Sequence, residues 1–405
     1  MPAERVPALV LGTGVTALGV ARVLARHGIP AWHATERPDH LRHSRYYTPP
    51  PAGCRPHRFG DDLAEWLDRF PAERAVLFPC ADSLLLAASG LPPALRERFP
   101  AVLPSCGVVL TVIDKERFGR FLVQAAIPHP RTLTGAELEG RVAATGDGFE
   151  SAFLKPRDSQ GFFARHGVKA VRVDGEAEAA RRLAELSAQG DEMVVQEYVP
   201  GLASAHLFVD GYVDRNGAVR AVFARRRLRM YPPDFGNSSY MVSLAAPGGG
   251  SRSASDVAAA GDDPVQTVRR LLSALGFVGI FSVELKRDER DGVHKVLELN
   301  ARPWWYVEFA ARCGVDVCRL AYLDALNRPL GDPTAVRPGR TLVYPPYDFP
   351  AWRHERARNG IPFLRWLWQV CRAEQPVWRW NDPLPGVLEA TRVVGGRLRR
   401  IRRRG

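Results

Sequence analysis

The sequence predicts an α/β fold, with a doubly wound parallel unit first and then a larger block of alternating strands and helices. Three observations carry this. The opening PALVLGTGVTALGVARVLARHGIPAWHATE reads as strand, glycine turn, helix and strand. An apolar run, Ala75–Phe78, follows a helical stretch around Asp62–Phe70. From Asp114 to about Leu330, strands and helices alternate around a hairpin-rich middle.

Element by element, Ala8–Leu11 is a short apolar run of the kind a strand buried on both faces requires. Val15–Arg26 has helical periodicity, closed by Gly28 as a C-cap, and Ile29–Thr35 begins the next strand. Pro247–Asp263 is Gly/Ser/Ala-rich and reads as a surface insertion. Beyond Leu330, IPFLRWLWQVCR and WNDPLP suggest an aromatic helical appendage ahead of a basic tail.

A chain of 405 residues has length for two or three domains, and 46% hydrophobic with 25% charged residues is a globular composition. The net charge of +12 favours anionic partners, but six arginines lie between Arg397 and Gly405, so much of the excess is a tail. No nucleic-acid recognition module accompanies it, which argues against nucleic acid. Six cysteines form no CxxC pair and no zinc spacing, as expected of free thiols in a reducing compartment. Val6–Ala21 is uncharged, but Gly12, Gly14 and Gly19 give it turn-like spacing, and no later run is long enough to span a bilayer. These features predict a cytoplasmic protein.

Gly12-Thr13-Gly14 with Gly19 resembles a dinucleotide-binding turn, and Glu36 stands where a ribose contact would. Ala17, however, occupies the third glycine's place. A tight strand-to-helix turn that binds no dinucleotide is the better reading.

The most informative stretch is GIFSVELKRDERDGVHKVLELNARPWW, two strand-forming runs around a turn. A three-residue loop, Arg290-Asp291-Gly292, puts Gly292 at the left-handed position and Glu284 directly opposite Glu298. A one-residue slip would place them on opposite faces. Period-two alternation adds Asn300, Arg302 and Lys286 to the Glu298 face, and sends Val283, Leu285, Leu297 and Leu299 to the core. Two carboxylates and an amide suit magnesium with polyphosphate, since hard cations prefer oxygen ligands. Arg302 suits a phosphate or growing negative charge. The plain alternative is a solvated face with cross-strand salt bridges.

Glu298-Leu-Asn300-Ala-Arg302-Pro303, preceded by Glu284, resembles the signature hairpin of the ATP-grasp superfamily. Further landmarks follow in order: Asp114-Lys115 with Phe118, Phe153-Leu154-Lys155-Pro156, and Val194–Gly201. There is also similarity to the carboxylate–amine ligase branch that includes D-aspartate ligases, and to carbamoyl-phosphate-synthase-like members. The resemblance implies a Rossmann-like pre-ATP-grasp domain (residues 1–112), a two-lobed α+β ATP-grasp domain (113–330, lid about 135–198), and an appendage with a basic tail (331–405). It implies that Lys115 and Lys155 contact ATP phosphates, that Ser159 and Gly161 donate backbone N–H groups, and that Gln196, Glu197, Tyr198 and Val199 hold adenine. Glu284, Glu298 and Asn300 would bind two magnesium ions, or manganese. The implied reaction activates a carboxylate as an acyl phosphate and couples it to an amine, with release of ADP and phosphate.

The chain departs from the pattern in two places. The loop after Lys155 has few glycines, and Ser204 stands where an acidic ribose contact is expected. Arg225, Arg227 and Arg229 alternate, so one strand face carries all three, either to bind substrate (Arg227 foremost, beside Lys286 and Arg302) or as a solvated basic strand. Asp234–Ser239 reads as a substrate loop. Phe363, Trp366, Leu367 and Val370 recur at helical spacing, and with the tail they allow contact with an anionic membrane. Two other functions stay open: a nicotinamide-dependent oxidoreductase built on the glycine turn, and a catalytically silent ATP-grasp binding protein.

Overall fold

The computed structural model describes residues 6–34, 40–58, 60–143, 148–157, 162, 165–233, 235–245, 263–331 and 335–392, and among these described residues three sheets organise the fold. Glu36, Ser159, Gln160, Gly161, Asp234, nearly all of the predicted insertion and the arginine-rich tail lie outside the described residues.

The first sheet is parallel, with strands β1 (Ala8–Leu11), β2 (Ala31–His33) and β3 (Val76–Pro79) in the order β2-β1-β3. β1 and β3 are buried throughout, as their apolar runs require. The helix Gly14–Arg26 follows β1. The glycines of this turn have packing reasons: a Cβ on Gly12 (φ +120°) would lie 3.0 Å from Cys80 Cβ, and one on Gly19 would lie 3.1 Å from Val307 Cγ1. Glycine is therefore needed here without any dinucleotide.

A second sheet contains β4 (Thr132–Leu133), β5 (Ser151–Pro156), β6 (Val171–Asp174) and β7 (Met193–Glu197), antiparallel in the order β4-β7-β5-β6. It encloses a core of its own with the helices Gly135–Ala143 and Gly175–Ala188, centred on Leu138, Leu154, Leu183 and Val195. A lobe with a separate core can move as a unit.

The largest sheet has six antiparallel strands: β8 (His206–Val213), β9 (Val219–Tyr231), β10 (Asn237–Ser243), β11 (Gly279–Arg287), β12 (His294–Asn300) and β13 (Thr341–Val343). Their order is β12-β11-β8-β9-β10-β13. The expected substrate loop at 234–239 is thus partly strand, and β13 brings residues beyond 330 into this sheet. One hydrophobic cluster joins the first helix to the central sheet, through Val20, Tyr212, Phe223 and Phe309. A buried ionic network reinforces the joint: Arg22 donates to Asp382 at 2.8 Å, and Asp382 also accepts from Ser44 Oγ at 2.7 Å.

The β11–β12 hairpin carries a correction. Glu284 does face Glu298, but the turn is one residue longer than a three-residue loop would make it, since Arg287 faces His294 and Asp288 N–H bonds Val293. A bulge between Glu284 and Leu285 restores the register. Leu297 is the extra residue and is only half-buried; Val296 takes its place in the core beside Leu285 and Leu299. Gly292 has the expected left-handed φ of 74°.

Candidate active site

The bulged hairpin puts Glu284 and Glu298 side by side, in different surroundings. Glu284 Oε1 lies 2.7 Å from His206 Nδ1 and 3.1 Å from Arg227 Nη2. Burial alone would raise the Glu284 pKa, but Arg227 and the His206 hydrogen bond outweigh it and hold the carboxyl well below the usual range. Burial, then Arg227, pushes His206 down to about 4, so its ring is neutral near pH 7 and its Nδ1–H donates to Glu284. Glu298 is 41% exposed and pairs with Lys115 at 3.2 Å.

Lys115 is the first residue of the helix Lys115–Gln124, whose N-cap is Asp114. Lys155, on β5 of the second sheet, donates to Gln196 Oε1 at 2.5 Å. Burial and then the Lys115 charge pull Lys155 down to about 8, while Glu298 and Glu284 act in the opposite direction. Two lysines and two carboxylates from separate elements therefore sense one another.

Arg302 lies beyond β12, and Asp82 grips it bidentately, with Nε–Oδ1 2.7 Å and Nη2–Oδ2 3.0 Å. Its Nη2 also donates to Asn300 Oδ1 at 3.4 Å. Sequence reasoning missed Asp82. The available signal was its position just past the carboxyl end of β3, where parallel sheets gather ligand-facing residues. His206, the hydrogen-bond partner of Glu284, was missed as well, whereas Ser238, the partner of Arg227, lies in the predicted substrate loop.

The arginine row on β9 does share one face, but it is neither solvated nor wholly available to a ligand. Arg225 pairs with Asp210 at 2.6 Å and Arg229 with Asp348 at 2.8 Å, all four side chains buried. Arg227, equally buried, donates Nε to Ser238 Oγ at 2.8 Å. Its carboxylate partner is Glu284, so it orients a metal-ligand candidate.

Of the other predicted residues, Lys286 is buried, its ammonium 4.6 Å from the centroid of the Tyr198 ring. Glu197 accepts from Arg290 Nη1 at 2.6 Å and from Arg131 N–H at 3.3 Å, so its carboxylate is engaged within the protein. Val199 is buried beside it in the chain.

Among the described residues no three His, Cys, Asp or Glu side chains form a metal cluster. Glu284 and Glu298 each bond within the protein through Oε1, and among the described residues Oε2 of each accepts no hydrogen bond. With the Asn300 amide oxygen they supply hard donors too few for an all-protein cage. That donor set fits magnesium, which completes its shell with substrate phosphates and water.

No family model matches the chain. A D-aspartate ligase of Enterococcus faecium is 22% identical over 272 residues, which cover 65% of this chain and 62% of that enzyme. The match thus spans less than two thirds of the relative's length. The N5-carboxyaminoimidazole ribonucleotide synthetase of Thermus thermophilus superposes with a TM-score of 0.57 at 19% identity, over 82% of this chain and 81% of that one. An L-amino acid ligase of Bacillus licheniformis gives a TM-score of 0.55 at 15% identity, over 84% and 79%. The chain has the fold of the ATP-grasp carboxylate–amine ligases.

Proposed function

We propose that this protein is an ADP-forming ligase that activates a carboxylate with ATP and couples it to an amine. The observation that carries the reading is the convergence of Lys115, Lys155, Glu284 and Glu298 from separate elements. Lys155 and Lys115 hold the nucleotide phosphates, and Lys115 exchanges its Glu298 contact for phosphate oxygen. Glu284, Glu298 and Asn300 hold magnesium, which when bound neutralises phosphate charge during phosphoryl transfer. Arg302, fixed by Asp82, faces the developing negative charge, and residues 196–199 with Lys286 line the adenine side. Arg227 and His206 are positioning residues that fix Glu284. The relatives named for amino-acid ligation make an amino acid the first candidate for either substrate.

Calorimetric titration tests the nucleotide assignment: magnesium-ATP should bind and NADH should not. NADH binding without ATP binding would restore the oxidoreductase reading.

A pH dependence follows from Lys155. With its pKa at about 8 the cation is present below that pH and lost above it, so kcat/KM for ATP should fall as pH rises through 8. Lys155→Met should remove that alkaline limb and lower kcat/KM by about 10–100-fold, the worth of a charged hydrogen bond. Steady-state kinetics between pH 6 and 10 would check both.

A further inference from the structure

We infer that the outer face of the helix Phe363–Arg372 docks on an anionic lipid bilayer surface. Its inner face is firmly seated: Trp366 stacks on Trp352 at 5.2 Å and donates its indole N–H to Asp348, while Gln369 accepts from Arg229. Among the described residues the outer face has no such cover. Leu364, Leu367 and Trp368 are 76%, 40% and 59% exposed, and Cys371 is exposed too. These four fall at i, i+3, i+4 and i+7, a continuous apolar stripe held rigidly outward.

Charge selects the occupant. Arg365 and Arg372 flank the stripe, both exposed, and the Arg372 guanidinium lies 5.0 Å from the Trp368 ring centroid. The helix contains no acidic residue. From Arg353 to Gly405 the sequence has thirteen arginines against four carboxylates, a net +9 out of the chain's +12. An apolar stripe rimmed by arginines matches the depth profile of an anionic interface, with acyl chains below and phosphates around. A second copy is disfavoured, because an isologous contact would bring Arg365 and Arg372 of both copies to one interface. Among the described residues no helix is long and apolar enough to cross a membrane, so the contact is peripheral.

The test is co-sedimentation of the full chain with vesicles of phosphatidylcholine, with or without phosphatidylglycerol. The wild type should bind only the phosphatidylglycerol vesicles and be released by salt. The double variant Leu364→Ser/Trp368→Ser should bind roughly tenfold or more weakly, as loss of two exposed apolar anchors implies, with unchanged thermal unfolding. Val123→Ser, an exposed apolar residue on another helix, should bind as wild type does. Equal binding by the double variant, equal binding to neutral vesicles, a wild-type dimer that the double variant dissolves, or displacement from vesicles by an oligonucleotide would each overturn the inference.

Discussion

A Glu298→Ala variant is expected to lose turnover by about 10²–10³-fold, the usual loss for one strong electrostatic element of a phosphoryl-transfer site, while unfolding at the wild-type temperature. Its carboxylate is 41% exposed, so little stability depends on its pairing with Lys115. Glu284→Ala should lose turnover to a similar extent but also destabilise the fold. Arg227 is 3% exposed, and removal of Glu284 strands its charge, at a cost of about 3–5 kcal/mol. Thermal unfolding beside single-turnover ADP release separates the two. Equal stability of both variants would mean that Arg227 finds another counter-charge.

The second large effect is expected at Asp348, in the helix Pro345–Asn359 that follows β13. It is fully buried and accepts four hydrogen bonds of 2.8–2.9 Å: two from Arg229 and one each from Ser239 and the Trp366 indole. Asp348→Ala strands the buried Arg229 guanidinium and is expected to cost about 3–5 kcal/mol. Because the same carboxylate anchors Trp366, the helix Phe363–Arg372 should loosen with it, visible as faster amide exchange there. An Asp348→Ala protein with wild-type stability and exchange would contradict this account of the arginine row.

Much of this was legible in the sequence where contacts are local. The glycine turn, the β11–β12 hairpin and the single face of Arg225, Arg227 and Arg229 all follow from periods of two or 3.6. What alternation cannot tell is what lies across a face. Arg225 and Arg229 read as substrate ligands or solvated charges because Asp210 and Asp348 reach them only through sheet pairing and the packing of a distant helix. Asp82 meets Arg302 from 220 residues away, a contact set by topology. The Leu297 bulge was hidden because a longer turn and a bulge offset one another, which left the Glu284–Glu298 pairing right for an incomplete reason.

The most direct test of the ligase assignment is magnesium-dependent release of ADP and phosphate across a panel of amino acids and small carboxylic acids, each with and without an amine acceptor. The account predicts release that requires magnesium and a particular acid, and that disappears in Glu298→Ala. ATP turnover indifferent to every acid and to Glu298, or a protein that binds no ATP, would contradict it.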